Sequence, residues 1–535
     1  MKLSLGKKPE NDEHPDITTL IKQLGQKLEE LTYFAKESAK IGEDGCPKYH
    51  FASFELELKT RLMALGRLVC TLFLTLAENE LKKRLPTKLC HGDHTFTKES
   101  AKPRSLNTLF GVMRYWRTYM RCLTGSEGYH PLDLSVGLTR GRTSFNLLMS
   151  GVMLALKLSF DEAHSTLGHF VETPPSIDVL EKASLGLGRF TAEFFEKASA
   201  PTVDGPDGEV LVIMIDSKGV PTATEKELKK RRLKRVKRLH SKSKRHRGRD
   251  KRQRCPRTRR KKGDKSKNAR MATVLVMYTL RREGDLLIGP LNVFRYASMA
   301  SKQHAFKIAI REAKKRGFKA NDDGSFESLP DQKLVHILVD GDQDLDRYAK
   351  EYFPGANFTI DVMHVLGYIY SAAKAIFKEK SCEMDQWFST QKERLYNGEL
   401  DVLLEELHDR LDSISKRGPG TKRRREKLEK VINYIDKRQA HLNYSELIEA
   451  DMDIATGMVE GAVKYVVAKR FDHGGMRWIR ERAEALLQLR CIAINGQWED
   501  FLNFVHNKIM EAEIAPIKLL QDEPAPLPDI AQKAA

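Results

Sequence analysis

Two short segments constrain this chain more than any others. Residues 209–215 read EVLVIMI and residues 334–339 read LVHILV. An alternating strand buries one face, whereas a continuous apolar run has to be buried on both. Each run is followed at once by an aspartate, Asp216 and Asp340. Both read as buried strands of a central sheet.

The neighbouring segments supply the rest of that sheet. Residues 272–280 and 286–294 read as two strands joined at Glu283-Gly284. Residues 302–316 form an amphipathic helix, 342–352 a second, and 357–360 a short strand. Asp361 then stands where a long helix needs its N-cap. The order is strand, strand, strand, helix, strand, helix, strand, helix. That is a mixed α/β arrangement, and it is also the order of an RNase H-like core. Residues 375–455 are charged, helical in pattern and poor in strands, so they read as a helical insertion.

The N-terminal half reads differently. In residues 15–85, Phe51, Phe54, Leu58, Leu62, Leu65, Leu68, Val69 and Leu72 recur at helical spacing. They predict a packed helical hairpin with a leucine-rich core face. Residues 105–120 read as two short strands around Gly111. Ser144 opens a helix, Ser159 with Glu162 makes a capping box for the next, and Ser176 starts a third that can run to Ala198. Three such helices fit a helix-turn-helix or an ordinary bundle. In the first reading Lys182 and Arg189, seven residues apart, share one face of the last helix and can contact DNA. The expected division is 1–104 helical, 105–200 hairpin and helix-turn-helix-like, 201–374 core, 375–455 insertion, 456–510 returning core helices and 511–535 a tail without fixed structure.

The charge is concentrated in one place. The 535 residues carry a formal +19, but residues 226–270 alone hold 25 Lys and Arg against three acids, so the remainder is slightly acidic. So dense a run repels itself and has little to bury; it reads as a solvated loop, a nuclear localisation signal or a clamp on a polyanion. Lys230, Arg231, Arg232, Lys244, Arg245, Arg259 and Arg260 are its candidate DNA contacts, acting by counterion release. A membrane partner is not expected: the longest apolar stretch, residues 68–77, is about half of a bilayer span. Seven cysteines without framework spacing, and no apolar leader, fit a reducing cytoplasm.

Strand-end carboxylates suit hard divalent cations, which prefer oxygen ligands. Paired cations can activate an attacking oxygen and stabilise a leaving one in phosphodiester chemistry. Such a site usually takes a third acid from a neighbouring helix. Glu460, at the start of the helix after the insertion, is the candidate.

The segments VLVIMIDSKGV, ILVDGDQDLDRYAKEYFPGANFTIDVMHV and MVEGAVKYVVAKRFDHGGMRWIRERAEALLQLR, followed by GQWEDF, resemble DDE insertion-sequence transposases. The nearest group is the ISKra-type bacterial family, allied to Mutator-like and ISL-type transposases, over residues 105–505. The resemblance implies an RNase H-like fold with a helical insertion before the last acid. It implies Asp216, Asp340 and Glu460 as ligands of two Mg²⁺ ions, with Mn²⁺ as substitute. Asp361 and His364 match the family's DxxH element, and Asp361 is the alternative second aspartate. Arg470, Arg477 and Trp478 match its tail motif and imply DNA contacts. The implied partner is double-stranded DNA, bound by a homodimer or larger assembly at the nucleoid. The family's paired-cysteine turn before a Pro-Leu-Asp stretch is reduced here to Cys122 before Pro131-Leu132-Asp133. A zinc site from Cys90, His91, His94 and Cys122 competes with their reading as free thiols and surface histidines. The alternatives are an RNase H-like nuclease that does not transpose, and a domesticated transposase that only binds DNA.

Overall fold

The structure is a computed structural model that describes residues 16–514, apart from 44, 92–93, 126–127, 227–228, 231–232, 234–268, 319–333 and 473–475. The chain divides into two compact units, residues 1–183 with 502–535 and residues 184–501.

The first unit opens with α1 (Ile17–Ser38) and α2 (Phe51–Arg84), the expected hairpin. Phe34 stacks on Phe54 at 5.2 Å between centroids, and the Arg61 guanidinium lies 4.3 Å from the Phe34 ring. A three-stranded antiparallel sheet follows: β1 (Lys88–His91), β2 (His94–Thr108) and β3 (Gly111–Cys122). These strands start before residue 105, inside the region expected to be helical. Pro103 and a register shift between Glu99 and Lys102 interrupt β2, which hides its alternation in the sequence. Gly111 turns the hairpin with φ +103°, which a residue with a side chain resists.

The leucine-rich face of α2 is only partly core. Leu74 packs on Leu106, Met113 and Tyr115 of the sheet, and the buried Glu78 carboxylate accepts from the Thr118 amide at 2.8 Å. Leu62, Val69, Phe73 and Leu76 remain exposed, because a helix of 34 residues outruns the sheet it lies on. Among the described residues this one helix is long and apolar enough, by length and composition, to cross a membrane.

Next come α3 (Pro131–Ser135), α4 (Phe145–Lys157), α5 (Phe160–Leu167) and α6 (Ile177–Leu187). Ser144 caps α4, and Ser159 with Glu162 forms the full reciprocal capping box of α5. Ala155, Ala163 and Leu180 pack α4, α5 and α6 on one another. The third helix does not reach Ala198. It stops at Leu187, and α7 (Thr191–Lys197) begins after a turn.

The second unit is mixed α/β around a five-stranded mixed sheet. Its strands are β4 (Val210–Pro221), β5 (Ala269–Glu283), β6 (Leu286–Ser298), β7 (Leu334–Val339) and β8 (Asn357–Ile360). Their order is β6-β5-β4-β7-β8, with β5 antiparallel to both β4 and β6, and β7 and β8 parallel to β4. Residues 210–215 are buried without a break, as a strand covered on both faces must be. Helices α8 (Lys302–Lys315), α9 (Gln343–Tyr352) and α10 (Val362–Ile376) alternate with the last strands. The insertion is helical as expected: α11 (Cys382–Tyr396), α12 (Leu400–Ser413), α13 (Thr421–Asp436) and α14 (Tyr444–Glu449). Its core is continuous with Ile360 and α10, so it packs on the sheet's β8 side. The chain returns through α15 (Gly457–Ala462), a π-helical stretch (Val463–Ala468), α16 (Lys469–Phe471) and α17 (Arg480–Ile494), and ends in α18 (Trp498–Ile514).

Candidate active site

The register of the parallel strands sets the site. Ile215 pairs with Val339, and Val339 pairs with Ile360. One residue further along each strand stand Asp216, Asp340 and Asp361. Parallel ladders therefore bring three aspartates to one level at one end of neighbouring strands about 4.8 Å apart. Asp216 does not end its strand, as the sequence suggested. β4 continues to Pro221 against β5, and only its pairing with β7 stops at Ile215.

The two candidates for second aspartate differ sharply in what they touch. Asp361 is 4% exposed and both its oxygens are engaged. It accepts from the Met363 amide at 3.1 Å as the cap of α10, and from the Thr456 amide at 3.3 Å and hydroxyl at 2.9 Å. Asp340 is half-buried and accepts from the Asp342 amide at 3.2 Å. Asp340 therefore keeps more unused acceptor capacity than Asp361.

Glu460 is exposed on α15, whose amide at Glu460 donates to the Thr456 carbonyl at 3.0 Å. The same Thr456 is bound by Asp361, so Asp361 ties the glutamate's helix to the sheet. Beyond Glu460 the chain widens into π-helical turns. Arg490 of α17 donates to the carbonyls of Tyr465 (2.5 Å) and Val466 (2.9 Å), drawing on groups an ordinary helix would use internally.

The Asp216 carboxyl is held above the usual carboxylate range. Burial is the largest cause; the Ser217 amide opposes it, and the negative charges of Asp340 and Glu460 add to it. Asp216 thus feels both other acids, yet among the described residues no three His, Cys, Asp or Glu side chains are gathered closely enough to hold a metal ion as they stand. That statement also covers Cys90, His94 and Cys122, where His94 Nδ1 bonds the Thr124 hydroxyl at 3.0 Å; the His91 side chain lies outside the described residues.

The tail motif is an internal brace. Arg470 is 1% exposed with its guanidinium 4.7 Å from the Trp478 ring, and Trp478 is 7% exposed. The Trp478 amide donates to the Pro221 carbonyl at 3.0 Å, and the Ala223 amide donates back to Trp478 at 2.8 Å. Both side chains, which the family resemblance implies as DNA contacts, are buried against each other at the end of β4. Arg477 between them is partly exposed. His364 is exposed on α10, its ring 5.5 Å from that of Tyr368 and 6.0 Å from that of Tyr434.

Lys182 is exposed on α6 and paired with Asp178 at 2.7 Å. Arg189 is also exposed but lies in the turn after that helix, so the seven-residue spacing does not put the two on one face. Lys230 is exposed, whereas Arg231, Arg232, Lys244, Arg245, Arg259 and Arg260 lie outside the described residues. Thr456, Tyr434 and Arg490 shape the site and were not legible as site residues. Each sits in a helix or loop far along the chain from the group it serves. No family model and no curated protein matches the chain.

Proposed function

We propose that this chain is a DDE-type DNA transposase with an RNase H-like catalytic core. The observation that carries the reading is the register that sets Asp216 beside Asp340, with Glu460 close enough to raise the Asp216 carboxyl. Numbering only the strands of the large sheet, the order third-second-first-fourth-fifth, with the last two parallel to the first, agrees with that core.

An aspartate on which two further carboxylates act fits a hard divalent cation, which oxygen donors bind best. Asp216, Asp340 and Glu460 would hold two Mg²⁺, with Mn²⁺ as substitute; bound there, the ions would supply Lewis-acid activation of the attacking and leaving oxygens. Asp361 holds Thr456 and with it the start of the Glu460 helix. The Arg470–Trp478 brace fixes the chain that follows to the end of β4. The basic segment, residues 226–270, follows β4, the strand that carries Asp216, in the chain, and would neutralise DNA phosphates near the cleavage point. Element ends and target DNA are the proposed substrates, bound by a homodimer or larger assembly associated with the nucleoid.

The test is a strand-transfer assay with purified full-length protein, Mg²⁺ and DNA carrying the sequences that flank its gene. Cleavage at the element ends and joining to a second DNA are expected, both abolished by E460Q. Cleavage without joining would instead support a simple nuclease, and sequence-specific binding without cleavage a DNA-binding-only descendant.

A further inference from the structure

The helical insertion sends one tyrosine to the candidate site. Tyr434 on α13 is 8% exposed, and its hydroxyl is buried with no hydrogen-bond partner among the described residues. A phenol left so costs stability unless something repays it. The ring is fixed on both sides. It stacks on Tyr368 at 3.8 Å between centroids and 10° between planes, and the Arg438 guanidinium lies 4.2 Å from its centroid. Arg438 also donates to the Gly341 carbonyl at 3.2 Å, which ties α13 to the residue after Asp340. The hydroxyl itself lies against Gly341, where a Cβ would overlap it, and Gly341 has φ +78°. This turn therefore excludes a side chain twice over, by conformation and by the phenol beside it.

Two carboxylates act electrostatically on that hydroxyl, those of Asp340 and Asp361. Asp361 already accepts three hydrogen bonds. Asp340 accepts one, from Asp342 at 3.2 Å, and retains acceptor capacity. A rigid buried donor and an under-used acceptor thus face the same turn.

We infer that Tyr434 is a positioning residue for Asp340: its hydroxyl donates to the Asp340 carboxylate when that group turns in to bind a divalent cation. The inference rests on the proposed metal-dependent site. It gives the helical insertion a part in the chemistry, because α13 then fixes the orientation of a ligand 94 residues earlier in the chain. Groups that orient a metal ligand in this way typically change metal affinity by about 10- to 100-fold when removed.

The test uses Y434F in the full chain, which removes one oxygen and keeps the ring stack. Mn²⁺ binding is read by calorimetry, thermal unfolding by circular dichroism, and DNA binding by anisotropy. Y434F should unfold at the wild-type temperature or slightly above it and bind DNA as wild type does. It should bind Mn²⁺ about 10-fold more weakly and need correspondingly more Mg²⁺ for half-maximal cleavage. In a D340N background the same change should have no further effect on Mn²⁺ binding. If wild type binds Mn²⁺ and Y434F binds it equally well, the inference fails and the proposed function stands. If Y434F loses stability and Mn²⁺ affinity together, the tyrosine is only a packing element and the inference fails. If wild type binds no Mn²⁺ at all, both fail.

Discussion

Replacing Asp361 separates a structural aspartate from a metal ligand. The carboxylate is buried and serves three donors: the Met363 amide, the Thr456 amide and the Thr456 hydroxyl. Loss of an N-cap costs about 1 kcal/mol. Leaving the two buried Thr456 donors without an acceptor adds about 1 kcal/mol each. D361A should therefore lose about 3 kcal/mol of stability. D361N keeps one oxygen as acceptor and should lose about 1 kcal/mol. D340N should behave in the opposite way, because it removes a negative charge that acts on Asp216 while leaving an acceptor for Asp342. Its stability without divalent cations should equal or exceed that of wild type. Urea unfolding followed by circular dichroism reads all three variants, and DNA cleavage is measured on the same preparations. D340N should be folded and inactive; D361N should be less stable and keep measurable cleavage. A D361A variant as stable as wild type would refute the structural role. A stable D361N as inactive as D340N would make Asp361 the ligand instead.

Other outcomes follow from the same structure. In the first unit Asp133 is buried and accepts from Arg104 at 2.8 Å and from Tyr115 at 2.8 Å, and also pairs with Arg117; D133A leaves two guanidinium groups short of their counterion and should cost about 3–5 kcal/mol in urea unfolding. His130 donates from Nδ1 to the Thr118 carbonyl at 3.0 Å, and burial, followed by the Arg117 charge, lowers its pKa to about 4. The unfolded chain therefore takes up this proton first, so the contribution of His130 to stability is complete above about pH 6.5 and is lost as pH falls towards 4; H130Q, which can still donate to Thr118, should flatten the unfolding profile across that window. Deleting residues 234–268 should leave thermal unfolding unchanged and sharply reduce the salt dependence of DNA binding; an unchanged salt slope would locate the phosphate contacts elsewhere.

Much of the core was legible because its signals are local. The unbroken apolar runs ending at Ile215 and Val339 read as buried strands, and Ser144, Ser159 and Asp361 cap the helices expected of them. Local signals failed where tertiary contacts decide. Strand β2 carries lysines, a proline and a register shift, so pairing with β3, not its own pattern, makes it a strand. The helix expected to reach Ala198 ends at Leu187, followed by Gly188, whose Cβ position Ala485 of α17 already occupies. Arg470 reads as a surface charge but is buried under Trp478. The aspartate pair was visible as two strand ends, whereas their adjacency depends on a register that no single strand encodes. Tyr434 stood unnoticed in the charged insertion because only the folded chain brings it to Gly341.

The most direct measurement is a crystal structure of the full chain with Mn²⁺ and a DNA end, with the ions located by anomalous scattering. The account predicts manganese bound by Asp216 and Asp340, with Glu460 drawn in as the third carboxylate and Asp361 still on Thr456. Anomalous density on Asp361, or at a site lacking both Asp216 and Asp340, would contradict it.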